Sequence, residues 1–264
     1  MAYPKLIKFD TPELWHDCRF RHLTASNLPS LFEEGFGSEV ELYVEKTDPA
    51  YRAQPSMAME HGNAVEDFIA EQYRRFTGNR IEDPGKYAVA ESAEHPFLSC
   101  SPDLFAWHDN ELINVQIKSA SAFSRGEWYK AIPARVMIQV QAEMYVLGLM
   151  MTHVPVYFGG NEFDVFEVEY AKDFMAAIIN RASEFWHKNV LANVPPDPDA
   201  SESAKAALNH LYRSVEKGSS IELDGDELRA ALAVYAATSE QIKALETEKS
   251  RISNEINAMV GANE

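Results

Sequence analysis

Hydrophobic residues recur at intervals of three and four in several stretches of the chain, which is the period of a helix buried on one face. The longest such stretch ends at Gly78, a residue that commonly terminates helices. Thr11 and Pro12 form an N-cap and first-turn pair for an earlier helix, and Thr24 is the predicted cap of the next one. Helices are therefore predicted over residues 11–19, 24–32, 56–77, 134–150 and 171–189.

Two other segments change to the pattern of β-strands and carry turn residues at their centres. Residues 97–120 are predicted to form one β-hairpin that turns at Asp109 and Asn110. Residues 154–170 are predicted to form a second hairpin around the glycine-rich turn at 159–161. The order of helices, hairpin, helix, hairpin and helix predicts an α/β fold in which a central sheet lies between helices.

A break in composition separates the last part of the chain. Residues 194–203 contain three prolines and two aspartates, which interrupt helices and strands. We therefore predict a large domain over residues 1–195 and a helical region over residues 196–264. Apolar residues in the second region have helical spacing, which indicates a helical hairpin or a coiled-coil-like arm. They lie at positions 228, 232, 235, 242, 245, 252, 256 and 259.

Composition places the chain among ordinary globular proteins. Its 264 residues are 46% hydrophobic and 25% charged, enough to form a core without cross-links. The only cysteines are Cys18 and Cys100, which excludes a disulfide framework, a four-cysteine zinc site and a four-cysteine iron–sulfur cluster. The N-terminus has no apolar signal core, and no apolar stretch approaches the length of a membrane span. We expect a cytoplasmic protein that does not bind membranes.

The net charge is −17, from 24 basic and 41 acidic residues. Proteins that coat nucleic acids usually carry a basic surplus, so this balance argues against a passive DNA-binding protein. A nuclease remains compatible with the charge, because it can confine positive charge to a groove and bind divalent metals.

Four polar side chains are placed so that they can meet at one point. Asp103 is expected inside the first strand of the first hairpin, and Gln116 and Lys118 are expected on one face of its second strand. Glu66 lies on the preceding long helix. Carboxylate and other oxygen atoms bind Mg²⁺, and a lysine beside the metal can orient a water molecule or offset phosphate charge. The arrangement therefore predicts a magnesium-dependent hydrolytic site.

Five short segments that include these residues follow one another in an order that resembles the PD-(D/E)XK nuclease superfamily. Within it, the chain is similar to the phage lambda exonuclease and YqaJ-type recombinase nucleases. Any one segment is weak evidence, but five in this order are fairly specific. The segments are RFRHLTASN (19–27), MEHGNAVED (59–67), SPD (101–103), QIK (116–118) and IQVQAEMYV (138–146).

The resemblance implies a restriction-endonuclease-like α/β fold, with a central mixed β-sheet flanked by helices and a C-terminal helical extension. It implies a Mg²⁺-dependent 5′→3′ exonuclease that leaves 3′ single-stranded overhangs on double-stranded DNA. The implied partners are DNA ends and a single-strand annealing recombinase, and the implied assembly is a homotrimeric ring around DNA. Such a protein acts in a bacterial cell as part of a phage or prophage. Family members often continue past residues 261–264, so a truncated C-terminus is a further expectation.

The resemblance also implies a role for each residue of the predicted site. Asp103 would bridge two Mg²⁺ ions, with Mn²⁺ as an alternative metal. Gln116 and the backbone carbonyl of Ile117 would complete the ligands of one ion. Glu66 would supply a ligand directly or through water, and Lys118 would position and activate the attacking water.

Residues outside the metal site receive roles in binding DNA. Arg19 and Ser26 match family positions that hold the 5′-phosphate of a DNA end, and arginine suits this task because its planar fork binds phosphate at two points. Gln139 and Gln141 would line the cleft from the buried helix. The residues themselves leave other interpretations open, since Arg19 could form a surface ion pair and the two glutamines could be buried polar groups without a chemical role.

Two positions depart from the family pattern. The family usually has Glu where this chain has Gln116, and Gly where it has Leu104. A neutral amide oxygen removes one negative charge from the site and should weaken metal binding.

Two alternative functions remain: a metal-dependent endonuclease of the restriction or transposition type on the same fold, and a catalytically impaired DNA-binding module.

Overall fold

The computed structural model describes residues 3–51, 57–213 and 225–261. In these ranges the α-helices are α1 (Pro12–Phe20), α2 (Glu39–Thr47), α3 (Met57–Thr77), α4 (Arg125–Trp128), α5 (Ala134–Leu147), α6 (Lys172–Phe185), α7 (Glu202–Leu211) and α8 (Asp226–Val260). The strands are β1 (Ile7–Lys8), β2 (Leu23–Thr24), β3 (Arg80–Glu82), β4 (Ala88–Glu91), β5 (Leu98–Cys100), β6 (Leu104–His108), β7 (Glu111–Val115), β8 (Lys118–Ala120), β9 (Met151–Phe158) and β10 (Glu162–Glu169).

Two sheets are formed. The main sheet has the order β10-β9-β7-β6-β3, and β8 pairs with β9 beyond the end of β7. Its neighbours are antiparallel except that β7 and β8 both run parallel to β9, so the sheet is mixed. A smaller sheet has the order β1-β4-β5-β2. The predicted α/β fold with a central mixed sheet and flanking helices is confirmed.

The first predicted hairpin is confirmed only in its central part. Strands β6 and β7 pair around Asp109 and Asn110, whose φ angles of 49° and 67° suit the tight two-residue turn of a hairpin. The outer parts separate, because β5 joins the smaller sheet and β8 pairs with β9. Asp103 therefore lies just before β6 rather than inside a strand, and Gln116 lies in the break between β7 and β8. This corrects the expected placement of both residues.

The predicted helices α1 and α3 are confirmed, whereas the predicted helix cap at Thr24 is wrong. The Thr11 side chain accepts a hydrogen bond from the amide of Leu14, and α3 ends where Gly78 adopts a left-handed φ of 70°. Thr24, in contrast, is the last residue of β2 and caps no helix. Its hydroxyl donates to Asn27 Oδ1 at 2.7 Å, and a short 3₁₀ turn then covers Leu28–Phe32.

The second predicted hairpin is confirmed by β9 and β10, which pair antiparallel along their full lengths. Strand β9 begins at Met151, three residues before the predicted start. Helix α5 ends at Leu147 because Gly148 is left-handed, with a φ of 67°. The predicted helix over 171–189 is α6 followed by a π-helical turn at Trp186–Leu191.

The main sheet is covered on both faces. Helix α3 places Ile69 and Tyr73 against one face, where they pack with Val115 and other buried residues of β6 and β7. Helix α5 places Val140 and Met144 against the other face, where valines and Phe158 of β9 meet them. Burial on both faces explains why these strands have nearly continuous apolar sequences instead of strict alternation.

Contacts divide the chain into residues 1–213 and 214–264, whereas the sequence predicted a division at residue 195. The difference arises because α7 packs against α2. Ala204 and Ala207 of α7 are buried in the largest core cluster, and the Ser203 hydroxyl accepts a 2.8 Å hydrogen bond from the amide of Ser38. The proline-rich segment is therefore a linker inside the first unit and does not end it.

The second unit contains α8, an uninterrupted helix of 35 residues. Its described part has no turn that would make a helical hairpin, so of the two predicted forms only the extended arm agrees with the structure. All eight apolar positions of the predicted stripe are exposed, from 41% at Leu228 to 83% at Met259. In the described ranges, no helix combines the length and apolar character needed to cross a membrane.

Candidate active site

Asp103 is held by Gln116 and Ile117, the two residues in the break between β7 and β8. Its Oδ2 atom accepts hydrogen bonds from the Gln116 side-chain amide at 2.6 Å and from the backbone N–H of Ile117 at 2.8 Å. The break between β7 and β8 makes the second bond possible, because Ile117 there belongs to neither strand and turns its N–H toward Asp103. Asp103, Gln116 and Ile117 are therefore brought together as predicted, although through a strand interruption.

The side-chain oxygen of Gln116 is free to bind another group. Gln116 is 5% exposed, and its Oε1 atom has no hydrogen-bond partner among the residues that the structure describes. The amide nitrogen must face the Asp103 carboxylate, which accepts hydrogen bonds, so the oxygen faces away from it. A buried carbonyl oxygen without a partner is unfavourable unless a cation or water satisfies it.

Lys118, the first residue of β8, connects the sheet to α5. Its Nζ donates a 2.9 Å hydrogen bond to Oε1 of Gln139, and Gln139 donates through Nε2 to Glu143 at 2.8 Å. The other carboxylate oxygen of Glu143 accepts a 2.7 Å hydrogen bond from Asn114 of β7. This chain of polar contacts fixes the direction of the lysine side chain and confirms that Gln139 lies beside the predicted site.

Glu66 approaches the same place from α3. It is half-buried, and the charges of Asp103 and Lys118 both act on it. Burial raises the pKa of Glu66 to about 7, and the negative charge of Asp103 adds to this shift. The helix therefore brings a carboxyl group into the field of Asp103, as the sequence predicted.

The carboxyl groups of Glu66, Asp103 and Glu143, all near Lys118, are poorly stabilised in their ionised forms. Burial raises the pKa of Asp103 to about 7, although the nearby Lys118 opposes the shift. Burial also raises the pKa of Glu143 to about 7, again against the influence of Lys118. Such excess negative charge in a region of low polarity favours a bound cation.

The donor set fits a hard divalent cation. Mg²⁺ prefers oxygen ligands and binds proteins through few carboxylates, with water and substrate phosphate completing its shell. The carboxylates of Asp103 and Glu66 and the unpartnered oxygen of Gln116 are oxygen donors of this kind. The carbonyl of Ile117 as a further ligand stays a prediction.

Arg19 and the hydroxyls of Ser26 and Ser101 form a basic cluster. Arg19 contacts the hydroxyls of Ser26 at 3.3 Å and Ser101 at 3.4 Å, so the predicted phosphate-binding pair is brought together. The guanidinium lies over the ring of Trp15, 4.5 Å from its centroid. The chain runs directly from Ser101 through Pro102 to Asp103. Ser101, which contacts Arg19, is therefore two residues from Asp103 along the chain.

Gln141 is not brought to this cluster. Its Nε2 donates to the backbone carbonyl of Glu169 at 2.7 Å, and its Oε1 accepts from the amide of Ala171 at the same distance. These bonds satisfy one backbone carbonyl at the end of β10 and one backbone amide at the start of α6. The buried amide of Gln141 thus supports the backbone, and its contacts do not place it in the cleft as the sequence predicted.

Sequence reasoning missed three polar residues of the site. Glu143 is 1% exposed and is the only acidic residue of the largely apolar helix α5, which is a usable signal. Lys46 is 5% exposed and donates from Nζ to the carbonyl of Arg19 at 3.0 Å, which supports the backbone of the basic cluster. Ser101 contacts Arg19 and lies in the SPD segment of the resemblance, which gave no role to its hydroxyl.

The mixed sheet, the helices on both faces and the acidic cluster at the broken strand define a restriction-endonuclease-like fold, which confirms the expected class. Residues 14–150, more than half of the chain, match the YqaJ-like viral recombinase domain, and the protein belongs to that family. The YqaJ protein of Bacillus subtilis (strain 168) is 28% identical over 221 residues, which cover 82% of this chain and 67% of that protein.

Solved structures with similar folds include exonucleases. An alkaline exonuclease from Laribacter hongkongensis, LHK-Exo, has a TM-score of 0.57 and 18% identity, covering 75% of this chain and 99% of that one. Its complex with dAMP has a TM-score of 0.58 and 18% identity, covering 69% and 94%. A phage-related exonuclease from Haemophilus somnus 129PT has a TM-score of 0.51 and 11% identity, covering 67% and 99%. At these identities the likeness establishes the fold.

Proposed function

We propose that this protein is a Mg²⁺-dependent 5′→3′ exonuclease that acts on the ends of double-stranded DNA and leaves 3′ single-stranded overhangs. One observation carries the proposal: the Arg19 cluster and the carboxylate of Asp103 are joined by Ser101 and Pro102. A group that binds a terminal phosphate and a group that binds a metal are thus adjacent in one site. The family and the fold of the exonucleases support the same function.

The residues of the site have separate roles in the proposed hydrolysis. Asp103, Glu66, Gln116 and the carbonyl of Ile117 would hold two Mg²⁺ ions, or Mn²⁺ in their place. The bound ions would supply Lewis-acid stabilisation of the phosphate charge. Lys118 would position and activate the attacking water, and its contact with Gln139 keeps its Nζ in place.

The basic cluster supports the proposed direction of digestion. Arg19 presents charged N–H groups beside the hydroxyls of Ser26 and Ser101, a combination suited to a terminal phosphate. If a 5′-phosphate occupies this cluster, the next phosphodiester lies toward Asp103. An enzyme that cuts within a chain has no need for such a pocket, which favours the exonuclease over the endonuclease.

We further propose that the protein works as a homotrimeric ring around DNA and transfers the 3′ strand to a single-strand annealing recombinase. The family membership supports a role in phage recombination inside a bacterial cell. A ring also accommodates the net charge of −17, because a channel can be basic while the outer surface is acidic.

Digestion of linear duplex DNA tests the function directly. Substrates carry a 5′-phosphate or a 5′-hydroxyl and a different label on each strand, and they are incubated with Mg²⁺, Mn²⁺ or EDTA. The proposal predicts shortening of the 5′-ended strand, faster with phosphate and absent with EDTA. Cleavage of covalently closed circles would support the endonuclease instead. DNA binding without cleavage in either metal would support the catalytically impaired module.

A further inference from the structure

A second group of metal-ligating side chains lies on the face of the main sheet that α3 covers. His108 ends β6, His153 is in β9 and Glu167 is in β10. One potential ligand atom from each of the three lies within 4.8 Å of the others. We propose that these residues bind one divalent transition-metal ion of the Zn²⁺ type, separate from the proposed magnesium site.

His153 provides the strongest evidence for a missing ligand. The residue is 1% exposed, and its Nε2 atom has no hydrogen-bond partner in the part of the chain that the structure describes. That nitrogen lies 3.6 Å from a carboxylate oxygen of Glu167. Buried polar atoms are normally paired, so a lone nitrogen directed at a carboxylate indicates that another group belongs between them.

The other ring nitrogen of His153 is already held in place. Its Nδ1 lies 2.8 Å from the hydroxyl oxygen of Tyr73, and Asn79 contacts the same oxygen at 3.1 Å. A hydroxyl oxygen has two acceptor positions, so it can accept hydrogen bonds from both groups. An ion on Nε2 would place the proton on Nδ1, where the Tyr73 oxygen can accept its hydrogen bond. Metal-binding histidines are commonly oriented in this way by a partner on the second nitrogen.

The ligand types favour a transition metal. Two imidazoles and one carboxylate form a ligand set that Zn²⁺ uses when water occupies its fourth position, whereas Mg²⁺ prefers oxygen. With bonds of about 2.0–2.1 Å in tetrahedral geometry, neighbouring ligand atoms lie roughly 3.3 Å apart. The 3.6 Å between His153 and Glu167 is already close to this value. The side chain of Glu167 is 61% exposed, so an ion can enter from solvent.

Another triad is less suitable for a metal. Cys18, His22 and Glu91 also bring potential ligand atoms within 4.8 Å of one another. However, burial raises the pKa of the Cys18 thiol, which disfavours the thiolate that binds metals. This triad therefore serves as a comparison in the experiment.

An ion at the proposed site would join three strands of the main sheet. The backbone carbonyl of His153 accepts a 2.9 Å hydrogen bond from the amide of Gln116, so the same segment of β9 also supports the break that holds Asp103. The ion would therefore link this segment of β9 to β6 and to β10.

Co²⁺ is a suitable probe because its visible absorption reports nitrogen ligands and low coordination number. The full chain is stripped of metal and titrated with Co²⁺ in excess Mg²⁺, and the same titration is made with Asp103→Asn to remove the magnesium site. We expect one Co²⁺ ion per chain in both proteins, displaced by Zn²⁺. Loss of the signal in Asp103→Asn would overturn the proposal.

Variants of His108 and Glu167, the two ligands that are not fully buried, test the assignment outside the core. His108→Gln and Glu167→Gln should each weaken Co²⁺ binding by about tenfold or more, and Tyr73→Phe should weaken it by about 10- to 100-fold through the orientation of His153. Glu169→Gln, on the same strand, and His22→Gln should leave it unchanged. Absence of Co²⁺ binding, or binding that is lost in His22→Gln but kept in His108→Gln, would overturn the proposal.

Discussion

The carboxylate of Asp103 accepts a 2.6 Å hydrogen bond from the side-chain amide of Gln116, and the amide oxygen of Gln116 is buried without a partner among the described residues. A glutamate at position 116 could not donate such a bond. The substitution that distinguishes this chain from the family pattern thus stabilises Asp103 in the metal-free protein and still offers one oxygen to a cation.

Exchange of Gln116 tests this dual role. Gln116→Glu should remain active and reach half-maximal rate at a lower Mg²⁺ concentration, because it restores a negative charge beside the ion. Without metal it should lower the melting temperature, since two carboxylates then face each other, and Mg²⁺ should reverse this loss. Gln116→Ala should lose most activity because no oxygen replaces the amide. An alanine variant as active as the parent at every Mg²⁺ concentration would show that Gln116 is not a ligand.

Loss of Asp103 or Lys118 should abolish DNA cleavage without unfolding the protein. Asp103→Ala removes the proposed central ligand, and Lys118→Ala removes the group that positions water, which is worth about 10²- to 10⁴-fold in rate. Lys130→Ala, an exposed lysine outside the site, is the matched control and should cleave normally. Rates on linear duplex and circular dichroism spectra check both points. Unchanged cleavage by either site variant would place the active site elsewhere.

Arg19→Ala should slow digestion of 5′-phosphorylated DNA far more than digestion of 5′-hydroxyl DNA. A hydrogen bond to a charged group contributes about 1.5–3 kcal/mol, which corresponds to roughly 10- to 150-fold in rate at subsaturating DNA. Arg21→Ala is the control, because Arg21 is exposed and two residues away. Equal losses on the two substrates would contradict a phosphate pocket at Arg19.

The metal-free protein should become more stable as the pH falls from 7 to 5. Burial raises the pKa of Glu143 from 4.5 to about 7, so between these values the folded state holds a proton that the unfolded chain releases. The free energy of unfolding therefore decreases as pH rises through this window. Asp103 and Glu66 act in the same direction.

Glu143→Gln should reduce this pH dependence by about 1–3 kcal/mol over the window, since one of the three contributions disappears. Urea denaturation in EDTA at pH 5, 6, 7 and 8 measures the effect. Glu127→Gln, an exposed residue of α4, is the control and should retain the full slope. If the free energy of unfolding of Glu143→Gln depended on pH as that of the parent does, Glu143 would be ionised in the folded protein over this whole pH range.

Truncated chains should show whether the first unit ends at residue 195 or at Arg213. A chain that ends after Arg213 keeps α7 on α2 and should unfold at the same temperature as residues 1–213 do in the full protein. A chain that ends after residue 195 loses the buried Ala204 and Ala207 and the bond to Ser38, and should be less stable by about 2 kcal/mol or more. Equal stability of the two fragments would show that α7 contributes nothing to the first unit.

The sequence alone determined the elements whose signals are local. The helical spacing before Gly78 gave the long helix α3, and Asp109 and Asn110 gave the turn between β6 and β7. The motif order also identified the family, and with it the grouping of Asp103 with Gln116 and of Arg19 with Ser26. These signals suffice because turns and helix ends depend on a few adjacent residues.

Only the tertiary structure decided how distant segments meet. The break between β7 and β8 turns the amide of Ile117 toward Asp103, and no local signal marks it because the sequence there continues as a strand would. The burial of Glu143, the placement of Gln141 away from the cleft and the packing of α7 on the first unit also depend on contacts between remote parts of the chain. Side-chain periodicity gives the face that a residue occupies, but the neighbour that it meets is set by strand pairing and by helix packing across the sheet.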